Sequence, residues 1–389
     1  MISVDAALEA VLALVSPLTT ENVPLRSANG RVMARAVSAQ RTQPPFAASS
    51  MDGYALRRAE VEPDAMFKVV GEAAAGHRFD GTVRAGQAAR IFTGAPVPDG
   101  ADFVVMQEDV TRRGNLITLG HKIGDKSNIR PAGGDFNAGD SMSGPRLLRP
   151  SDIALLAAMN HAQVPVIRKP VVAILATGDE LVQPGESPGP DQIIASNSYG
   201  LAALLENSGA EARLLPIARD NEPSLRQAFA LASGADLIVT IGGASVGDHD
   251  LVASVAAKVG LEQSFYKVAM RPGKPLMAGK LGDTAMIGLP GNPVSAMVCG
   301  TVFILPMVRR MLGLETAAHT LSAPLGRDIG ANGPRAHYMR ANLREGAIFP
   351  DDRQDSSLLS VLSSADALMI RPPHDPRRLA GEAQQYIPL

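Results

Sequence analysis

The chain has 389 residues, 46% hydrophobic and 20% charged, with a formal net charge of -2 and a pI near 6.4. That length exceeds what a single hydrophobic core organises, so roughly two to four domains are expected, and the near-neutral charge leaves no footprint for a nucleic acid or a membrane surface. One cysteine, Cys299, excludes a disulfide framework and a cysteine-rich zinc site, and suits a reducing cytoplasm.

The first sixteen residues, MISVDAALEAVLALVS, have no basic start, and Asp5 and Glu9 interrupt the apolar positions, which argues against a secretory leader. Ser3 can cap a helix whose apolar positions Val4, Leu8, Val11, Leu12 and Val15 follow helical spacing. Residues 40–150 carry short strand-like pieces between turns (FKVVGE, AARIFTG, ADFVVMQE, NLITLG), the texture of a small β domain. Residues 151–168 read as a helix followed by a strand, a connector.

From residue 170 the rhythm becomes β/α. VVAILAT is a strand, and SYGLAALLENSG a helix with Ser198 as N-cap and Gly209 just past its end. RLLPI, EPSLRQAFALAS and DLIVTIGG follow as strand, helix and strand. DLVASVAAKVG is a helix capped by Asp250, and FYKVAM and AMIGLPG close the series as strands. This alternation predicts a parallel sheet covered on both faces, with ligands beyond the carboxyl ends of its strands. The apolar run 292–314 contains Pro306 and reaches Arg309, so it reads as a buried core helix, with Cys299 as a core thiol. The tail from about 317 returns to β texture.

Four loops follow the α/β strands and converge by the strand-end rule: Thr177 to Glu180, Arg219-Asp220, Gly242 to Asp250, and Gly288 to Pro293. In TIGGASVGDHD, Gly242, Gly243 and Gly247 can turn backbone N–H groups toward a phosphate, with Ser245 adding a hydroxyl. The loop is neither a Walker motif, since no GK[ST] follows, nor a dinucleotide-binding GxGxxG. Glu180, Asp220 and Asp250 bring carboxylates to the same place, a combination suited to a phosphate held with Mg²⁺. YKVAMRPGKP supplies the opposite charge, with Lys267, Arg271 and Lys274 stiffened by Pro272 and Pro275. In the β domain, SSMDGYALR, TGAPVP and NIRPAGGD offer Asp52, Thr93, Arg130 and Asp135.

In order and over essentially the whole length, SMDGYA, TGAPVP, NIRPAGGD, ATGDEL, GGASVGDHD, MRPGKP, LPGNPVSA and QDSSLL resemble the MoeA molybdenumtransferases and the related E domain of gephyrin. The resemblance implies a multidomain α/β fold. Residues 1–19 would form a helix on the α/β domain, 20–38 with 140–165 a connector, and 39–139 the β domain with the MDGYA loop. Residues 166–316 would be a central parallel α/β domain like that of the MoaB/MogA proteins, and 317–389 a β-barrel-like domain. It implies an enzyme that takes adenylylated molybdopterin and molybdate, inserts molybdenum and releases AMP with Mg²⁺ assisting. The catalytic positions would be Asp52, Thr93, Asp135, Glu180, Asp250, Pro290 and Pro293. Glu180, Asp220 and Asp250 would serve the metal. Lys267, Arg271, Lys274, Arg335 and Ser356 would bind anions, beside Gly242, Gly243, Ser245 and Gly247.

It also implies a cytoplasmic homodimer with a composite site, an upstream adenylyltransferase and recipient molybdoenzymes, and neither nucleic acid nor membrane as partner. Alternatives are a scaffold or carrier without turnover, and the adenylyltransferase itself. Three positions depart from the family: Arg271 for a common lysine, RPAGGD for a loop richer in arginine, and His337 for a frequent acidic residue.

Overall fold

A computed structural model describes residues 1–242, 251–317 and 319–389, and divides into two compact units. One comprises Met1–Glu21, Gly30–Ala34 and Val166–Leu389; the other comprises Asn22–Asn29 and Arg35–Pro165. The first element, α1 (Val4–Ala13), is capped as its sequence suggests: the Ala6 N–H donates to Ser3 Oγ at 3.1 Å, and Ala7 and Val11 are buried.

The smaller unit is built on a six-stranded sheet. Its strands are β1 (Gly53–Leu56), β2 (Met66–Ala73), β3 (Gln87–Ile91), β4 (Phe103–Met106), β5 (Val110–Arg113) and β6 (Leu116–Leu119), in the order β4-β1-β3-β2-β6-β5. Only β2 and β3 run parallel. Tyr54, Phe67, Phe103 and Ile117 pack together on one side. A Cβ on Gly53 would lie 1.9 Å from the Val105 carbonyl oxygen, so β1 approaches β4 as closely as it does only because that position is glycine. The unit also holds α2 (Pro150–Ala158), whose Asp152 carboxylate accepts from the Arg149 N–H at 2.9 Å.

The larger unit carries the α/β layer. In chain order it contains β7 (Val171–Ala176), α3 (Asn197–Asn207), β8 (Glu211–Leu214), α4 (Glu222–Leu231), β9 (Leu237–Ile241) and α5 (Leu251–Lys258). Then come β10 (Leu261–Lys267), β11 (Met270–Arg271), β12 (Pro275–Leu281), β13 (Thr284–Leu289) and α6 (Pro293–Cys299). The sheet order is β8-β7-β9-β13-β12-β10. Alternate residues of β7 and β9 enter opposite cores. Val172, Ile174, Leu237 and Val239 meet Leu201, Leu205 and Phe303, whereas Ala173, Leu175 and Ile238 meet Leu225, Phe229 and Val255. Both faces are therefore covered, which explains the unbroken apolar runs.

Two local expectations need correction. The sheet is parallel through β8, β7, β9 and β13, but β12 is antiparallel to both β13 and β10. The sequence hid this strand because PLMAGKL has no β-branched residue. Ser198 is not the N-cap of α3. The helix begins at Asn197, whose Nδ2 donates to the Gly291 carbonyl at 2.7 Å and so ties the helix start to the loop after β13. Gly209, with φ of 90°, ends the helix as expected. The cap assigned to Asp250 falls outside the described residues.

The apolar run after residue 292 is helical from Pro293 to Met311, with a wider turn over Gly300–Ile304 just ahead of Pro306. Phe303, Ile304, Met307 and Val308 are buried in the α/β core. Cys299 is fully buried there, and desolvation pushes its thiol up to about 12. The tail forms β14 (Leu321–Pro324), β15 (Ala336–Arg344), β16 (Ala347–Pro350), β17 (Ala367–Arg371) and β18 (Ala383–Pro388), ordered β11-β15-β17-β18-β14 with β16 also on β15. A bridge between Leu325 and Ile348 returns the β14 end to β16 and closes the barrel.

Candidate active site

The carboxyl ends of β7, β9 and β13 open into one cavity of about 720 Å³. After β7 the chain turns at Gly178, φ 150°, where a Cβ would lie 2.5 Å from the Glu180 carboxylate. Glu180 and Asp220 both line the cavity. Asp179 binds them into one acidic edge: its Oδ1 accepts from the Asp220 N–H at 3.3 Å, and its carbonyl accepts from Arg219 Nη1 at 3.0 Å. Burial, then Asp179 and Glu180, raise the Asp220 carboxyl above its ordinary value. Like charges crowded in this way favour a cation among them.

The same cavity also has positive lining. Lys274 lines the cavity, together with Ser196, Asn197 and Ser198 at the start of α3 and Asn292 and Pro293 at the start of α6. First-turn N–H groups have no acceptor inside their own helix and carry the positive end of its dipole. Pro290 and Pro293 both line the cavity, so the PGNP loop is part of the wall. Gly242 also lines the cavity and donates its N–H to the Leu289 carbonyl at 3.2 Å. Gly243, Ser245, Gly247 and Asp250 lie outside the described residues. Leu181, Ile193 and Ile194 add an apolar wall, and Ile193 is 58% exposed on it.

Lys267, Arg271, Arg335 and Ser356 do not line this cavity. The Ser356 carbonyl accepts from the Val294 N–H at 3.0 Å, and Ser357 is the serine that reaches the cavity wall. Arg271 pairs in register with His337 across β11 and β15, and Arg371 pairs with it from β17. His337 is 7% exposed and its Nε2 has no hydrogen-bond partner. Burial, then the charges of Arg271, Arg340, Arg371 and Arg335, push its imidazole down to about 4.

Arg340 was not singled out in the sequence. It is fully buried, its Nη2 donates to the carbonyls of Arg353 at 3.2 Å and Asp355 at 2.9 Å, and its Nε and Nη1 have no partner. A guanidinium buried with two donor atoms idle carries an unrepaid desolvation cost, which an acceptor at Nε and Nη1 would offset. Asp355 stands two residues before Ser357, so the guanidinium adjoins the segment that walls the cavity. Thr177, named in the sequence only as the start of its loop, lines the cavity with its hydroxyl unpartnered.

Asp52, Thr93 and Asp135 belong to the smaller unit. The first two are in contact: Asp52 Oδ1 accepts from the Thr93 N–H at 2.7 Å and from its hydroxyl at 2.8 Å. Those two bonds, with the charge of Arg90, hold the carboxyl below its ordinary range. Asp135 is exposed in the loop that follows Ile129–Arg130, and Arg130 is exposed beside it.

Glu180 and Asp220 fit Mg²⁺, which takes one or two carboxylates and fills its remaining sites with phosphate oxygen and water. Among the described residues no group of three acidic, histidine or cysteine side chains forms a self-sufficient metal cage.

Known proteins resemble the chain along most of its length. The MoeA N-terminal region (domain I and II) matches residues 2–160, a probable molybdopterin binding domain matches 173–310, and the MoeA C-terminal region (domain IV) matches 322–389. A molybdopterin molybdenumtransferase of a Nostoc species is 39% identical over 311 residues, covering 77% of this chain and 71% of that one. Its counterpart in Bacillus subtilis is 33% identical over 392 residues, covering 95% and 90%. The crystal structure of a molybdopterin biosynthesis MoeA protein from Pyrococcus horikoshii superposes with a TM-score of 0.86 at 29% identity, covering 100% of this chain and 99% of that one. The chain belongs to the MoeA family of molybdopterin molybdenumtransferases.

Proposed function

We propose that the chain inserts molybdate into adenylylated molybdopterin and releases AMP, using the cavity beyond β7, β9 and β13 for the phosphoanhydride and the Arg340 region for the oxyanion. The observation that carries this reading is that carboxylates (Glu180, Asp220) and a cation with two helix starts (Lys274, α3, α6) line one cavity, while the buried Arg340 guanidinium bonds the Asp355 carbonyl, two residues from Ser357 in the cavity wall.

Lys274 and the first-turn N–H groups of α3 hold the phosphoanhydride oxygens. Glu180 and Asp220 hold Mg²⁺, with Asp250 as a further candidate ligand. When bound, that ion polarises the phosphoanhydride and offsets charge on departing AMP. The apolar wall of Leu181, Ile193 and Ile194 takes a ring of the substrate and excludes water from one side. Arg340 Nε and Nη1 take one face of molybdate, with Arg271, Arg335, Lys267 and Ser356 gathering the anion, and the buried, neutral His337 avoids adding a fifth cation beside them.

The chain acts as a cytoplasmic homodimer between an upstream adenylyltransferase and recipient molybdoenzymes, and Asp52 of the partner subunit completes each site. With Oδ1 engaged by Thr93, Asp52 presents Oδ2. A carboxyl held in its anionic form is a weak base, so it orients water more than it removes a proton. Asp135 supports the same loop region.

The test is AMP release from adenylylated molybdopterin at fixed Mg²⁺, with and without molybdate, coupled to reconstitution of a molybdoenzyme. Molybdate-dependent release with reconstitution supports the reading. Tight binding without turnover on molybdate or tungstate identifies a carrier, and AMP incorporation from ATP identifies an adenylyltransferase.

A further inference from the structure

Arg90, on β3, sits behind the loop that carries Asp52. Its Nη1 donates to the Gly53 carbonyl at 3.1 Å and its Nη2 to Gln107 Oε1 at 2.6 Å. The Gln107 N–H in turn donates to the Asp52 carbonyl at 3.0 Å. Both carbonyls flanking the Asp52–Gly53 junction are thus held, one by Arg90 and the other by the residue Arg90 grips. The guanidinium lies 5.1 Å from the Tyr54 ring centroid and 4.6 Å from that of Phe92. Phe92 immediately precedes Thr93, which holds Asp52 Oδ1 by two bonds. The guanidinium therefore reaches Asp52 by three routes, each ending on backbone or on a neighbour and none on the carboxylate.

We propose that Arg90 is a positioning residue for Asp52: with Gln107 and the Tyr54 and Phe92 rings it locks the Asp52–Gly53 backbone, so that the free carboxylate oxygen is presented in one orientation. The inference rests on the reading of Asp52 as a reaction residue. Two features make arginine specific here. Its planar fork supplies two donors at a fixed angle, and its flat face stacks on aromatic rings; lysine supplies neither. Gly53 cannot relax the loop by accepting a larger residue, because Val105 stands against it. Arg90 is the charge that acts on the Asp52 carboxyl among the described residues, and Glu108 Oε1 accepts from Gln107 Nε2 at 3.2 Å. Arg90 adds a smaller effect than Thr93 to the lowered carboxyl pKa.

The experiment compares wild type, Arg90→Lys, Arg90→Gln and Gln107→Leu by carboxyl carbon-13 NMR titration of Asp52, thermal unfolding, and molybdate-dependent AMP release. Positioning predicts that Arg90→Gln raises the Asp52 pKa and lowers kcat by about 10–100-fold, the scale of a misplaced group, with KM for both substrates within about threefold. Arg90→Lys should return the pKa toward wild type but only part of kcat, because charge is restored and geometry is not. Should Arg90→Gln fail to fold, Gln107→Leu, which removes one acceptor of the fork and keeps the charge, must lower kcat by a smaller factor with both KM values and the Asp52 pKa near wild type. Folded variants with wild-type Asp52 titration and kcat would overturn the proposal. Full activity in Asp52→Ala would instead sink the underlying reading of Asp52, whatever the titration shows.

Discussion

Replacing Arg340 by methionine separates a structural arginine from a ligand-binding one. The backbone around it is held independently: Gln354 accepts from the Arg340 N–H at 3.1 Å and donates to its carbonyl at 2.9 Å, and both bonds survive the substitution. What is lost is Nη2, with its bonds to the Arg353 and Asp355 carbonyls. Two net hydrogen bonds are worth roughly 1–3 kcal/mol together. Against that stands relief from burying a charge with two unpartnered donors, each worth about 1–3 kcal/mol when left unmade. With roughly 1–3 kcal/mol lost against roughly 2–6 kcal/mol relieved, the ligand-free protein should lose no more than about 1 kcal/mol of stability and gains where the relief is the larger.

If Arg340 binds the oxyanion as proposed, the oxyanion loses far more. Nε and Nη1 would make two charge-assisted bonds to it, at roughly 1.5–3 kcal/mol each, which is a loss of about 10²- to 10⁴-fold in molybdate affinity. The assay is AMP release as a function of molybdate concentration, paired with thermal unfolding without ligand and with direct binding of adenylylated molybdopterin. The expected pattern is near-native or higher stability, near-native binding of the pterin, and a molybdate KM raised at least about 100-fold. Wild-type molybdate dependence in a strongly destabilised protein would refute the reasoning and make Arg340 a strut for the segment 353–355.

Other expectations follow from the same geometry. The raised pKa of Asp220 means the folded chain binds its proton more tightly than the unfolded chain does; its contribution to stability therefore falls as pH climbs above its ordinary value of 3.8. Mg²⁺ should accordingly raise Tm near neutral pH and lose that effect as Asp220 protonates, whereas Asp220→Asn should raise the metal-free Tm and blunt the Mg²⁺ increment; differential scanning calorimetry across pH decides it. His337, at about 4 against 6.5, has the opposite sense: the folded state resists its protonation, so stability is whole above 6.5 and lost as pH falls toward 4. At about 1.4 kcal/mol per unit the loss approaches roughly 3 kcal/mol, and denaturant titrations of His337→Gln should lack that slope. Gly178→Ala adds a Cβ 2.5 Å from the Glu180 carboxylate at a φ of 150°. It should destabilise by about 1–3 kcal/mol and weaken Mg²⁺ binding measured by calorimetry.

The residues that sequence reasoning could reach share a property: they sit at turns, where local chemistry and the strand-end rule point the same way. Glu180, Asp220, Gly242, Pro290 and Pro293 follow β7, β8, β9 and β13, and all five line one cavity because a parallel arrangement aligns those ends. The fold was readable for the same reason, since strands buried on both faces are written as unbroken apolar runs. The strand β12 escaped because its residues lack β-branching, and the start of α3 shifted because a tertiary bond from Asn197 to Gly291 outweighs a local cap. Arg340 was illegible for a deeper reason. In YMRANL it reads as one polar residue in a strand, and nothing local distinguishes a solvated arginine from a buried one; only the closing of β15 against the 353–357 segment removes it from water and leaves Nε and Nη1 idle. The same holds for Arg90, whose value lies in spanning Gly53 and Gln107, partners 37 and 17 residues away. Motifs mark where the backbone must turn, whereas cations such as Arg340 and Arg90 are defined by the partners the fold gives or withholds, and that is settled only at the tertiary level.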